Sequence, residues 1–187
     1  MKIYRALFLN FDIDIANIIL EEKNMLSKNI QKLINEQINK ELFSAYVYLE
    51  IASYFGEQGL NGLKKWFDAQ AKEEVEHAEK FYNYLIDEGA HVVLETIEAP
   101  KNTFKNVLEP VKLQLEHERY VTASIYTIYE AALKENDHRT ALFLQWFIEE
   151  QQEEEMQSED MLQKFEMIGE SKKGLYMLDR DFGNSRE

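Results

Sequence analysis

Cysteine is absent from all 187 residues. That excludes disulfides, thiolate metal sites and a cysteine nucleophile, and it suits a reducing, cytoplasmic setting. Proline occurs twice and glycine seven times, so breakers are too few for a turn-rich β fold. With so much Leu, Glu, Lys and Gln, the chain favours long helices. Basic residues are scarce: 21 Lys and Arg stand against 35 Asp and Glu, a formal net charge of −14. Such a chain repels phosphate, so no nucleic acid and no anionic membrane is expected as a partner, whereas cations are. No apolar run is long enough to span a bilayer. The length suits one domain with a substantial core.

The first residues stand apart from the rest. The segment LFLNFDIDIANIIL, from Leu7 to Leu20, is apolar, but Asp12 and Asp14 break the core that a secretory leader needs. Leu9, Phe11, Ile13 and Ile15 alternate with polar residues, as in a short strand. Helical periodicity begins only after Met25. Residues 1–24 therefore read as an N-terminal extension, non-native or disordered, with Met25 a candidate start, and residues 25–187 as the domain.

Four long helices follow. From Ser27, a good N-cap, to about Gln58 the inward face reads Ile34, Ile38, Ala45, Tyr48, Ala52 and Phe55. The second helix runs from about Asn61 to Glu88, with Gly89 to terminate it. From His91 to Asn106 there is no helical period, and the segment is long enough to cross a bundle. Pro110 falls in the first turn of the third helix, where a missing N–H is harmless. That helix continues to about Lys134, with Val111, Leu115, Val121, Ile125, Ile128 and Ala132 inward. Asp137 caps the fourth helix, which runs to about Ile168 with Leu144, Phe147, Met161 and Phe165 inward. Gly169 and Ser171 punctuate before a short helix from Lys172 to Phe182. The fold class is all-α: a four-helix bundle with one long crossover and a short fifth, C-terminal helix.

Each apolar stripe is interrupted once, near its middle: by Glu41, by Glu74 and His77, by Glu118, and by Gln151 and Glu154. One in-phase Glu is ordinarily a boundary residue whose head reaches water. Four interruptions at matching heights are different, because unpaired carboxylates in a core cost several kcal/mol or more and repel one another. The inward faces offer one His and no Lys or Arg, so the expected counter-charge is metal. Glu74 and His77 stand at i and i+3, and Gln151 and Glu154 repeat that spacing. An oxygen-rich set with one imidazole suits iron, manganese or zinc. One carboxylate from each of two helices, plus an i, i+3 pair from each of the others, is the di-iron bundle arrangement. Two ions about 3.5–4 Å apart need a shared ligand, and Glu74 is the candidate bridge.

The ordered set NEQINKELFSAYVYLE from Asn35, AKEEVEHAEKFYNYL from Ala71, LEHERYVTASIY from Leu115 and LQWFIEEQQEEE from Leu144 resembles the prokaryotic non-haem ferritins from about Met25 onward. The resemblance implies a first iron site on Glu41, Glu74 and His77. It implies a second on Glu118 and Glu154, with Glu74 shared and Gln151 close by. A third, more accessible site falls on Glu73, Glu150 and Glu153, and Tyr48 matches a tyrosine beside the centre. Similar proteins are ferroxidases. They oxidise Fe2+ with dioxygen or hydrogen peroxide and store ferric mineral in a hollow homo-oligomer of twenty-four subunits, without haem. Taken alone, Glu73 leans off the core face and the run Glu149–Glu155 is a wet helix face, while Tyr48 is as readily a core tyrosine.

Rival families fit less well. Bacterioferritin-like and rubrerythrin-like proteins carry Glu-x-x-His on both paired helices, but here the second pair lacks His. Haem-binding bacterioferritins place Met where this chain has Val75, and rubrerythrins need cysteines. A passive shell subunit without oxidase activity is the alternative from another class. The acidic residues of the animal three-fold channel are matched by Ala141 and Leu144. His117, one residue before Glu118, is expected to face solvent, as are His91 and His138; Met156, Met161 and Met167 read as packing residues.

Overall fold

The computed structural model describes residues 26–185. The extension expected over residues 1–24, with its strand-like alternation, lies outside the described residues. Five helices are present: α1 (Lys28–Glu57), α2 (Asn61–Asp87), α3 (Leu108–Lys134), α4 (His138–Ile168) and α5 (Lys172–Asn184). Among the described residues there is no strand.

Local chemistry sets the ends. Ser27 Oγ accepts from Ile30 N at 3.1 Å, and Asp137 Oδ1 accepts from Thr140 N at 3.0 Å. Each supplies an acceptor to a helix start that would otherwise leave its first N–H groups unsatisfied. The α1–α2 turn bends at Gly59 with φ 76°, and α2 ends at Gly89 with φ 71°. Glycine takes this left-handed conformation without a Cβ clash. The α3–α4 turn uses Asn136 with φ 56°, where a short amide side chain is tolerated.

The two short turns make two antiparallel hairpins, α1–α2 and α3–α4. Residues 88–107 cross from one to the other without regular structure. Asn35 on α1 fastens this crossover: its Nδ2 donates to His91 O at 3.1 Å, and its Oδ1 accepts from Val93 N at 2.6 Å.

The core divides in two. Toward the α3–α4 turn, Ile30, Ile34, Ile38, Phe81, Leu85, Ile125, Leu144 and Phe147 pack together. Toward α5, Tyr48, Ile51, Phe55, Leu63, Phe67, Val111, Met161 and Phe165 form a second cluster. Each large side chain contributes about 1.5–3 kcal/mol by leaving water. Between the clusters lies a belt of buried polar residues.

α5 is short and lies across the start of α2. Leu60, at the N-cap of α2, gives that helix no side-chain acceptor. Asp179 of α5 supplies one, its Oδ1 accepting from Leu63 N at 2.9 Å. The helices come close enough that a Cβ on Gly62 would lie 1.8 Å from the Asp179 carbonyl oxygen. Asp179→Ala is expected to destabilise the fold by about 1 kcal/mol, lowering the melting temperature by roughly 2–4 °C. Gly62→Ala should lower it further, because the added methyl drives α5 off its seat. Circular dichroism melts of both variants check the order.

Candidate metal centre

The polar belt gathers Glu41 from α1, Glu74 and His77 from α2, Glu118 from α3, and Gln151 and Glu154 from α4, none more than 3% exposed. One ligand atom each from Glu41, Glu74 and His77 lies within 4.8 Å of the others. His77 Nδ1 is 3.5 Å from Glu74 Oε2. Its other nitrogen, Nε2, is 3.8 Å from Glu150 Oε1. Across the belt, Gln151 Nε2 donates to Glu118 Oε2 at 3.1 Å, and the Tyr48 hydroxyl donates to Glu118 Oε1. Gln70 Nε2 donates to Glu154 Oε2 at 2.9 Å.

A second layer orients this set. Gln37 Nε2 donates to Glu41 Oε1 at 2.9 Å, Ser124 Oγ donates to Gln37 Oε1 at 2.6 Å, and Lys40 Nζ donates to Ser124 Oγ at 2.6 Å. The partly exposed lysine thus ends a chain that fixes a buried carboxylate, as outer partners of metal ligands do. Glu41 Oε2 is buried without a hydrogen-bond donor, and its carboxylate stands beside that of Glu74. Two such oxygens close on each other when a proton or a cation lies between them. An oxygen-rich set with one imidazole and an undonated carboxylate oxygen fits a hard or borderline divalent ion.

A ferritin-like domain model matches residues 31–168. The chain belongs to the ferritin family. It is 41% identical to a bacterial non-heme ferritin of Campylobacter jejuni over 160 residues, 86% of this chain and 96% of that one. It is 38% identical to a bacterial non-heme ferritin of Staphylococcus aureus over 159 residues, 85% and 96% of the two. Among solved structures, an open pore ferritin from the hyperthermophilic archaeon Archaeoglobus fulgidus superposes with a TM-score of 0.85 at 37% identity, covering 86% of this chain and 98% of that one. Iron storage is the function of this family, and Glu41, Glu74 and His77 form a candidate metal-binding group within it.

In this ferritin the three residues of the more accessible set are placed differently from the buried six. Glu73 and Glu150 are half-buried and Glu153 is exposed. Glu150 stands beside His77, and Glu153 Oε1 accepts from Gln157 Nε2 at 3.2 Å. Among the described residues, the Glu41, Glu74 and His77 group is the one that closes to ligand spacing.

Several expectations are corrected. His117 is buried at 8% exposure instead of facing solvent. A step of one residue turns the side chain by about 100°, and from Glu118 that step leads into the seam between α3 and α1. There His117 Nε2 is 2.7 Å from Ser44 Oγ. Ser44 donates its own proton to Lys40 O at 3.1 Å, so His117 Nε2 is the donor. Burial holds the His117 pKa down at about 4, which keeps the ring neutral. His91 and His138 are exposed as expected. Met161 is buried, but Met156 and Met167 are exposed. Ala141 and Leu144 are buried, Leu144 within the cluster toward the α3–α4 turn.

Nor is each stripe interrupted only once. Gln37, Gln70, Gln114 and Ser158 are also fully buried. The signal that could have found them is spacing: each lies four residues from a stripe carboxylate, one turn along the same face.

Burial is the main cause that pushes the Glu41 pKa up to about 8, with the Glu74 charge second. Burial, then the Glu154 charge, raises both Glu74 and Glu118 well above the carboxylate range. The unfolded chain releases these protons near its ordinary value of 4.5, so above that pH the folded, metal-free bundle holds more protons than the unfolded chain. Its stability therefore falls as pH rises from 4.5 toward 8, by about 3 kcal/mol at pH 7 for Glu41 alone. The metal-free protein should melt lower at neutral pH than at mildly acid pH. Glu41→Gln should raise that neutral melting temperature, and added Zn2+ should stabilise the wild type more at pH 7.5 than at pH 5.5. Calorimetry across that range checks all three.

Proposed function

We propose that this ferritin is a ferroxidase: a dinuclear centre in each subunit oxidises Fe2+ with dioxygen, and the ferric product is stored inside a cytoplasmic shell of twenty-four subunits. The reading rests on one observation. Glu41, Glu74, Glu118 and Glu154 are buried together, with the neutralising charge of a single imidazole at most. Fe2+ is the substrate, and its charge is what that arrangement lacks.

Glu41 and His77 hold one ion, Glu118 and Glu154 hold the other with Gln151 alongside, and Glu74 is shared between them. The carboxylic acids give up their protons as the ions arrive, so loading releases protons. Each of two Fe2+ then yields one electron; dioxygen takes both with two protons and leaves as hydrogen peroxide. Where hydrogen peroxide is the oxidant, it takes two electrons and two protons and leaves as water. The low-exposure belt between two apolar clusters keeps the ligands in place while the charge on iron rises. Tyr48 holds Glu118 through its hydroxyl. Glu73, Glu150 and Glu153 form the accessible third site, through which iron passes to or from the centre; the Glu150 position beside His77 supports that route.

Aerobic addition of Fe2+, followed by absorbance, tests the activity. Oxidation far above the buffer rate is expected, and a buffer rate would indicate a passive shell subunit instead. Glu74→Ala should slow the initial rate roughly 100-fold, because it removes a ligand from both ions. Glu153→Ala should leave the first turnover unchanged and alter later ones. Sedimentation of the purified protein should give a particle of twenty-four subunits, and a small oligomer would overturn the shell.

A further inference from the structure

Two buried side chains of the bundle have no part in the chemistry above. Gln114 on α3 and Ser158 on α4 are both 0% exposed. Among the described residues, neither Gln114 Nε2, Gln114 Oε1 nor Ser158 Oγ has a hydrogen-bond partner. A buried amide or hydroxyl left in that condition costs about 1–3 kcal/mol. Native interiors rarely carry such groups without a partner of some kind.

The two side chains share a level. Arg119 bonds to Glu159 and Thr122 to Glu155 and Gln151, which sets the antiparallel register of α3 on α4. In that register Gln114 comes opposite Ser158. Gln70 on α2 joins them, because its bond to Glu154 and the approach of His77 to Glu150 set α2 against α4 in the same way. Gln70, Gln114 and Ser158 are each one turn beyond a centre carboxylate, all toward the α5 end. On α1 the residue one turn beyond Glu41 is Ala45. Three corners of the layer are polar, and the fourth carries only a methyl, with Tyr48, one turn further along α1, reaching back past it to Glu118.

We propose that Gln114 and Ser158 form a closed binding site for water, seated directly over the metal centre. The occupant must accept from an amide nitrogen, donate to an amide oxygen and exchange a hydrogen bond with a hydroxyl. Water does all of this and is the smallest molecule that does. A cation finds no carboxylate in the layer, and an anion would face Glu118 and Glu154 one turn away. The bound water joins the layer to Gln70 and thereby steadies the bond from Gln70 to Glu154. Gln114 and Ser158 are thus positioning residues for the Glu154 side of the centre, a role that rests on the metal-binding reading above.

A high-resolution crystal structure of the whole metal-free protein, with zinc titrations, tests this. Density for water within hydrogen-bond reach of Gln114 and Ser158 is expected. A dry layer, or the two side chains bonded directly to each other, overturns the site. Gln114→Leu and Ser158→Ala should each weaken Zn2+ binding by about tenfold, while the metal-free melting temperature stays level or rises. Unchanged affinity overturns the positioning role, as does a loss of affinity that merely tracks a loss of stability. If Gln114→Leu does not fold, Ser158→Ala carries the comparison. Wild-type protein that binds no Zn2+ sinks the metal-centre reading and the positioning role with it, while the density alone decides whether the water site exists.

Discussion

Like charge packed into hydrocarbon is the constraint around which this bundle is arranged. Four carboxylates converge where a bundle of this length would ordinarily place leucines. The apolar clusters on either side supply the favourable burial that lets the belt exist. They also deny it the water that would otherwise screen it. Without metal, the acids respond by keeping their protons, as the raised Glu41, Glu74 and Glu118 show. Held neutral in this way the acids no longer repel one another, but the fold then keeps protons that the unfolded chain gives up at neutral pH.

Amides do much of the surrounding work. Gln37, Gln70 and Gln151 each donate to a centre carboxylate. An amide can steer a carboxylate without adding a charge that would compete with the ion. A lysine in the same place would neutralise the site and keep cations out. Lys40, a cation tied into this network, is held two hydrogen bonds further back, beyond Ser124 and Gln37. Its effect is to fix geometry more than to supply charge at the centre.

The helices were readable because periodicity and caps agreed. Ser27, Asp137 and Gly89 act where their chemistry says they should. The six central residues were readable because they sit in phase with the apolar stripe, where charge is conspicuous. His117 was not, since a stripe one residue wide describes a helix with a single neighbour, and α3 has packing on two sides. Gln37, Gln70 and Gln114 escaped notice because an in-phase amide looks like a solvated one until its surroundings in the bundle are known. The α5 seat was hidden as well: only the approach of Asp179 shows that Gly62 clears a path for another backbone.

The residues of the buried belt are divided between the two hairpins. Glu41, Glu74 and His77 belong to α1–α2; Glu118, Gln151 and Glu154 belong to α3–α4. Only residues 88–107 tie these halves covalently. A chain cleaved in that strap would become two amphipathic pieces, with the Glu41, Glu74 and His77 group whole on the first. Their reunion would be driven by the two apolar clusters, each of which draws residues from both hairpins.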